Sequence, residues 1–369
     1  MATQVLFAIG SNGSGQLGIG HKEDVSVPKP VILPEEPTSS PPRITSIAAG
    51  GNHTLLLTSF GTLCWAGDPS PGACGPTQPS QLSVPPQFHP VDMSPISSPI
   101  TLIAATWEAS IIAADEGRKV YTFGVGLKGE LGLGPLIMRT PIPSLVKNFP
   151  PPGTRVVDLA ASMAHVAVVL DDGSAWGWGA GRKGQFGEDP EASVVVDAPR
   201  QIEVGFSAVR AVCGKEFTCF FGTPEKGELK VLGSDKWGIR TEAPLVERIA
   251  GWKDVGAGWG NVFVLKDDGN VVSWGRNDHG QLTPESLRQV VRITVGSEHA
   301  LALTEQGDVV AWGWGEHGNC GPMPSGNDDV HQRGNVIASS KYVPAGAVIT
   351  VIGAGCATSW VGIDMPRPS

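Results

Sequence analysis

Residues 274–282 read Trp274-Gly275-Arg276-Asn277-Asp278-His279-Gly280-Gln281-Leu282, and related glycine-rich turns recur along the 369-residue chain. Each turn follows two short apolar runs that are joined by a tight turn of their own. The complete unit occurs seven times, with a spacing of 38 to 59 residues. Repeats of about this length are typical of propeller blades, which bury their faces by packing against one another.

One position, which we call the anchor position, fixes the register of the seven units. It lies three residues after the first small-residue turn, and its occupants are His53, Ala109, His165, Phe217, Asn261, His299 and Thr358. The apolar runs are rich in β-branched and aromatic residues, and Asp-Gly pairs such as Asp268-Gly269 separate them. This pattern predicts antiparallel hairpins, and hence an all-β fold with little helix.

The two ends of the sequence together make one unit. The chain begins with the second half of a repeat and finishes with the first half. We therefore predict a seven-bladed β-propeller in which an N-terminal strand, about residues 4–10, completes a C-terminal half blade, about residues 348–363. Such closure removes exposed sheet edges. Residues 1–369 are expected to form a single propeller domain.

The charge and hydrophobicity of the chain limit the classes of partner that it can bind. The chain carries 27 Lys and Arg against 36 Asp and Glu, a net charge of −9, and it has no basic run. Proteins that bind nucleic acid need clustered cations to neutralise phosphates, so we expect no direct nucleic-acid partner. No apolar stretch approaches the roughly 20 residues that span a bilayer, and no signal peptide is recognisable. We expect a cytoplasmic protein with no membrane contact, and the nucleus as a second compartment.

Three stretches, residues 124–129, 179–184 and 313–318, fit the dinucleotide fingerprint G-x-G-x-x-G. None of them opens a helix within a βαβ unit, which is the context in which this motif holds a phosphate. We interpret all three as turns between strands.

The histidines and cysteines are interpreted as structural. Three histidines share the anchor position, but the other units place Ala, Phe, Asn and Thr there, which favours packing over a metal site or a catalytic base. The six cysteines form no Cys-x-x-Cys pair. The sequence thus predicts no catalytic, metal-binding or cofactor-binding residue, and we expect the protein not to be an enzyme.

The units Trp-Gly-x-x-x-x-Gly-Gln-Leu and Gly-x-x-His-x-x-x-Leu resemble the repeat of the regulator of chromosome condensation family, whose members are seven-bladed propellers. The resemblance covers essentially the whole chain and weakens at residues 66–69 and 232–238. This family hosts several functions, so the fold alone does not decide among them. Its founding member is a nucleotide exchange factor for the GTPase Ran that sits on chromatin, a role for which this chain lacks a basic tail.

Residues 8–24, followed by Val27-Pro28, are similar to a fungal branch of the family known from α-tubulin suppression and killer-toxin insensitivity. The resemblance implies a heterodimer with a small CSL-type zinc-ribbon protein that carries electrons for diphthamide synthesis on elongation factor two. It also implies support of Elongator-dependent modification of wobble uridines in tRNA, with Elongator as a further partner. Two alternatives stay open: nucleotide exchange on a Ran-type GTPase, and binding to an enzyme or to ubiquitin machinery as inhibitor or scaffold.

An adaptor needs an interface, and tryptophan is enriched at the energetic centres of interfaces. We assign Trp65, Trp176, Trp274 and Trp312 to blade cores, and we place Trp107, Trp237, Trp252, Trp259, Trp314 and Trp360 in or near turns. The predicted partner interface lies on loops of successive late blades and consists of Trp237, Trp259, Asp278, Trp314, Glu316 and His317.

Overall fold

Short strands joined by tight turns account for nearly all regular structure in the computed structural model, which describes residues 3–35, 42–94, 96–187, 194–322 and 329–366. The strands form seven antiparallel sheets, the blades of a seven-bladed propeller. Blade 1 contains the first complete hairpin of the chain, and blade 7 combines strands from both ends. The predicted all-β propeller is confirmed.

Each blade runs outward from a first strand at the axis of the ring. The first strands are β3 (Ile44–Ala49), β7 (Ile100–Ala105), β11 (Val156–Ser162), β15 (Arg210–Cys213), β18 (Trp252–Ala257), β21 (Val290–Val295) and β25 (Val348–Ala354). The second strands are β4 (His53–Thr58), β8 (Ala109–Ala114), β12 (His165–Leu170), β16 (Phe217–Phe221), β19 (Asn261–Lys266), β22 (His299–Thr304) and β26 (Thr358–Met365). The third strands are β5 (Leu63–Gly67), β9 (Lys119–Val125), β13 (Ala175–Ala180), β17 (Leu229–Gly233), β20 (Val271–Gly275), β23 (Asp308–Trp314) and β1 (Thr3–Gly10).

Five blades have a fourth, outermost strand. These strands are β6 (His89–Pro90), β10 (Arg139–Leu145), β14 (Val195–Ile202), β24 (Asp329–Ser339) and β2 (Val25–Pro30). Within the described residues, blades 4 and 5 stop at their third strands, β17 and β20. Helical segments are short: α1 (Pro79–Leu82), α2 (Val246–Ile249) and a 3₁₀ turn at Lys236–Gly238. None of the described helices is long and apolar enough to cross a bilayer.

Every second strand begins at the anchor position that the sequence marks. The seven anchor side chains are all buried, although they range from a methyl group to an imidazole. The three histidines there bridge neighbouring blades, because Nε2 of His53, His165 and His299 lies within 3.1 Å of a hydroxyl oxygen one blade further on. Burial lowers the pKa of each of these imidazoles to about 4. The structural interpretation of these histidines is therefore correct.

The glycine-rich turn is shaped by backbone geometry. Gly275 has a φ of +106°, and a Cβ atom there would lie 2.4 Å from the carbonyl oxygen of Gly260. The side chain of Gln281 accepts a hydrogen bond from the amide of His279 at 2.9 Å, and Asn277 accepts one from the amide of Leu282 at 3.0 Å. The motif therefore supplies the partners that its own turn requires. The fingerprint-like stretches are turns of this kind, as predicted.

Tryptophan also links one blade to the next. The indole N–H groups of Trp178, Trp274 and Trp312 donate to main-chain oxygens in the glycine-rich turn of the preceding blade, at 2.8 to 3.0 Å.

Our assignment of Trp176 to a core was wrong, since it is partly exposed and Trp178 fills that place. Trp252 and Trp360, which we placed near turns, are buried as well.

The ring is closed by its two ends. Strand β1 pairs antiparallel with β26, from Thr3 opposite Met365 to Gly10 opposite Thr358. Strand β2 adds to the outer side of β1, and β25 adds to the inner side of β26. The observed strands extend one or two residues beyond the predicted bounds. Apolar side chains of adjacent blades fill the space between the sheets, so each blade contributes to two cores.

Candidate functional site

The turns between first and second strands and the turns between third and fourth strands lie on the same end of the ring, because adjacent strands run antiparallel. Two residues before each anchor, a ring of side chains surrounds the mouth of the central channel: Gly51, Trp107, Met163, Lys215, Trp259, Ser297 and Cys356. Backbone hydrogen bonds connect neighbours in this ring, including Trp107 N–H to Met163 O and Trp259 N–H to Ser297 O, at 2.8 and 2.7 Å. The first strands enclose a channel cavity of about 410 Å³ behind it.

Two tryptophans meet across this mouth. Trp107 belongs to blade 2 and Trp259 to blade 5, on opposite sides of the ring, yet their ring centroids are 6.0 Å apart and tilted by 46°. Gly51 makes room for the first indole, since a Cβ there would lie 2.5 Å from the Trp107 ring. Both side chains stay accessible to solvent, and 36% of Trp107 is exposed. The end of the channel therefore presents an aromatic surface.

Trp237 extends this surface outward over blade 4. It lies in the 3₁₀ turn after β17, is 41% exposed and has a φ of +67°, a left-handed conformation that a bulky residue rarely adopts. Trp237 and Trp259 flank a cleft of about 200 Å³. Gly260 forms part of its wall, because a Cβ there would contact both Trp237 and Arg276. We call Trp107, Trp237 and Trp259 the tryptophan patch.

Cations cover two rings of the tryptophan patch. Nζ of Lys215 lies 4.8 Å from the centroid of Trp259, and Nζ of Lys236 lies 5.0 Å from that of Trp237. The guanidinium of Arg276 lies 5.3 Å from the same Trp237 ring. Contacts of this kind are worth about 0.5–1 kcal/mol at exposed sites and more when water is excluded. Within the described part of the chain, neither lysine has a carboxylate at ion-pair distance.

Arg276 is held in place by two carboxylates. It donates to both oxygens of Asp278, at 2.6 and 2.9 Å, and to Glu298 at 2.6 Å. The side chain of Gln281 donates to the same two carboxylates. The hydrogen bond from Arg276 lowers the pKa of Asp278, whereas burial raises the pKa of Glu298 despite the nearby guanidinium. Asp278 therefore serves to position Arg276 against Trp237.

The structure brings together part of the predicted interface. Arg276 contacts both Trp237 and Asp278, and Trp259 lines the same cleft as Arg276. Trp314 lies on the adjacent blade and stacks on His279, with centroids 4.5 Å apart and an angle of 8°. His317 points to the far side of its turn, where its Nδ1 lies 2.8 Å from Asp24. Glu316 is exposed beside it.

Four residues of the site lie outside the predicted interface: Trp107, Lys215, Lys236 and Arg276. A signal for two of them exists. Aligning the seven units on their anchors places Trp107, Lys215 and Trp259 in one column, two residues earlier. The approach of Trp107 to Trp259 is invisible in that alignment, because it depends on how blades 2 and 5 face each other across the ring.

The arrangement is suited to binding a protein surface. It combines exposed indole faces, the ammonium groups that lie over them and a cleft of side-chain size. Among the described residues no cluster of three or more His, Cys, Asp or Glu side chains could hold a metal ion. Tryptophan and arginine are the side chains most enriched where protein interfaces lose most affinity on truncation. The tryptophan patch is therefore our candidate protein-binding site.

Comparisons with known proteins agree with the fold. A family model described as "RCC1-like domain" matches residues 5–361. An RCC1 repeat-containing protein of Schizosaccharomyces pombe is 31% identical over 98% of this chain and 99% of its own length. The secretion-regulating guanine nucleotide exchange factor of Mus musculus is 28% identical over 76% of this chain, but the match spans 61% of that relative.

A solved structure shows the same architecture. The crystal structure of Prp20p from Saccharomyces cerevisiae superimposes with a TM-score of 0.80, covering 100% of this chain and 93% of the other, at 19% sequence identity. At that identity the similarity concerns the fold alone.

Proposed function

Because this chain belongs to the RCC1-like domain family, we propose that it is a non-catalytic adaptor that forms a heterodimer with a small CSL-type zinc-ribbon protein. The zinc-ribbon protein would supply electrons for diphthamide synthesis on elongation factor two. The same heterodimer would support Elongator-dependent modification of tRNA wobble uridines, in the cytoplasm and the nucleus.

The observation that carries this proposal is the tryptophan patch. Trp237 is 41% exposed although it is a large apolar side chain, and it is held in a left-handed backbone conformation with Arg276 and Lys236 against its ring. Strained, exposed side chains of this kind are retained where a surface has a function. A rigid propeller presents them without the entropic cost of ordering a loop on binding.

The choice of partner rests on the similarity of residues 8–24 to the fungal branch of the family. In this segment Asn12 is fully buried, and its side chain accepts a hydrogen bond from the amide of Leu17 at 3.0 Å. Part of the similarity therefore reflects the requirements of the turn. The remainder includes exposed positions such as Lys22 and Glu23, and the choice of partner rests on these.

Nucleotide exchange on a Ran-type GTPase is the alternative. A relative from mouse is named as a guanine nucleotide exchange factor, and the match covers 76% of this chain. The chain spans only 61% of that relative. The net charge of −9 without a basic run gives no support to a role on chromatin.

Affinity capture of the tagged protein from native cytosol, followed by mass spectrometry, separates the two functions. The proposal predicts a small zinc-ribbon protein in stoichiometric amount, and loss of diphthamide and of wobble-uridine side chains when the protein is deleted. Recovery of a Ran-type GTPase whose nucleotide release is accelerated, without any zinc protein, would establish exchange instead.

A further inference from the structure

The open edge of blade 4 lies next to the tryptophan patch. Within the described residues its sheet ends at β17, whereas five other blades carry a fourth strand outside the third. Strand β17 ends at Gly233, and Trp237 follows four residues later in the chain. A partner held at the tryptophan patch is therefore within reach of this edge.

The backbone register shows which groups point outward. The amide of Gly222 donates to Glu228 O at 2.8 Å, and the amide of Ser234 donates to Glu216 O at 2.9 Å. Hydrogen-bonded pairs alternate in an antiparallel ladder, so Lys230 also faces β16 with its backbone groups. The backbone groups of Leu229, Val231 and Gly233 consequently point away from the sheet.

These outward groups are open to a new strand. No backbone partner is present for the N–H or C=O of Leu229 and Val231 in the described ranges. The carbonyl of Gly233 accepts a hydrogen bond from Arg240 at 3.3 Å, which marks the upper end of the open edge. An unpaired row of this kind is the template for pairing with an extended peptide.

The two faces of the edge differ in chemistry. On one side a cleft of about 470 Å³ has five apolar lining residues, Leu229, Val231, Ala243, Pro244 and Val246, and three polar ones, Asp235, Arg240 and Thr241. On the other side, toward blade 3, the lining of a cleft of about 550 Å³ includes the exposed residues Lys230, Gln201 and Glu203. Lys230 is exposed and has no ion-pair partner in the described part of the chain.

We propose that the partner contributes an extended segment of alternating apolar and acidic residues, which pairs with β17 as a fourth strand of blade 4. Side chains of a strand alternate between its faces, so the apolar residues of the segment enter the first cleft and its acidic residues lie on the side of Lys230. This inference rests on the proposed function, because the segment belongs to the zinc-ribbon protein held at the tryptophan patch.

Hydrogen exchange in the purified heterodimer tests the pairing. Amide protons of Leu229 and Val231 are expected to exchange rapidly in the free protein and to be protected in the complex with the zinc-ribbon protein. The amide of Val271 serves as the control. It has the matching outward position on β20 of blade 5, as the ladder between Lys266 and Asn270 shows, and its exchange should not change.

Two variants provide an independent measurement. Val231→Pro removes an outward N–H and leaves the ladder to β16 intact, and it should weaken Kd for the zinc-ribbon protein by about tenfold. Lys230→Glu should weaken binding in a salt-dependent way. Val271→Pro and Lys147→Glu, an exposed lysine after β10, are the matched controls and should bind like the wild type.

The outcomes separate the two proposals. If the wild-type protein does not bind the zinc-ribbon protein, both the proposed function and the strand pairing are wrong. If it binds while Leu229 and Val231 exchange as in the free protein, or if Val231→Pro binds as tightly as wild type, the strand pairing is wrong and the adaptor function stands.

Discussion

Nε2 of His299 lies 2.9 Å from Oγ of Ser359 in the next blade, and that hydroxyl donates its own proton to the main-chain oxygen of Asn319 at 2.8 Å. Since the serine proton is used, the imidazole must donate the proton on its Nε2. The ring is neutral at pH 7 because burial lowers its pKa to about 4. His53 repeats the relation through Ser110 and the oxygen of Ala73, at 3.1 and 2.6 Å. Each of these series of hydrogen bonds joins two blades through buried polar groups.

Stability should therefore depend on pH through these histidines. Burial lowers the pKa of His53, His165 and His299 to about 4, against 6.5 in the unfolded chain. As the pH falls below 6.5 the unfolded chain binds protons that the folded chain does not, so stability present above pH 6.5 is lost toward pH 4. Each imidazole should contribute a loss on the order of 2 kcal/mol between pH 7.5 and pH 5.

Urea unfolding at several pH values measures this slope. His299→Gln should flatten it by about a third of the histidine contribution, whatever its effect on stability at pH 7.5. Asn261→Ala changes the anchor position of blade 5, where the native side chain does not ionise, and it should leave the slope unchanged. An unchanged slope in all three His→Gln variants would show that acid sensitivity arises elsewhere.

Truncation of the tryptophan patch should weaken partner binding with little effect on folding. Trp237→Ala and Trp259→Ala are each expected to cost about 2 kcal/mol or more of binding free energy, as central interface tryptophans do. Melting temperatures should change little, because both side chains are solvent-accessible. Tyr342→Ala is the control, because this side chain lies outside the tryptophan patch and is 89% exposed. A large fall in melting temperature would instead make the two rings part of the core.

The inter-blade hydrogen bonds of tryptophan can be measured with a matched pair. Trp312→Phe removes the buried N–H that donates to Gln281 O at 2.9 Å. Trp65→Phe removes a buried N–H that has no partner among the described residues. Both replacements lose similar volume, so Trp312→Phe should be more destabilising by about 1–3 kcal/mol, the cost of a buried unsatisfied carbonyl. Equal losses of unfolding free energy would mean that packing alone holds these rings.

Alanine at Gly275 should be far more costly than at a glycine with free space. Both Gly275 and Gly134 have positive φ angles, +106° and +91°. A Cβ at Gly275 would lie 2.4 Å from Gly260 O, whereas no atom lies within 4 Å at Gly134. We expect a loss of about 1 kcal/mol for Gly134→Ala and more than about 3 kcal/mol for Gly275→Ala. Chemical denaturation of both variants tests whether backbone approach, rather than φ alone, selects glycine.

The fold was predictable because its requirements recur locally. The positive φ of Gly275 and the turn contacts of Gln281 recur in several blades. The same residue types therefore recur in the sequence, where they can be recognised. The assignment of Trp176 failed for a related reason. Trp176 and Trp178 are two residues apart and lie on the same face of β13, and alternation alone does not show which of them reaches the adjacent blade.

The candidate site was only partly predictable because it is assembled from distant turns. The proximity of Trp107 to Trp259 follows from ring geometry rather than from neighbouring residues. The ion pair between Arg276 and Asp278 could be predicted from the sequence, since the two residues lie two positions apart in the same turn. The edge of β17 is open because blade 4 has no fourth strand among the residues that the structure describes, and a repeat pattern does not show the loss of a single strand.

Because β1 pairs with β26, the ring cannot close until both strands have been synthesised. Strand β1 is synthesised long before β26, and at about 5–20 residues per second the interval between them is tens of seconds. During it the nascent chain is an arc of blades with bare edges at both ends. The entropic cost of joining such distant segments grows only with the logarithm of their separation. Exposure of the unpaired strand before closure is therefore a greater risk to folding than closure itself. A chaperone that protects the waiting strand would act on this protein before any partner can.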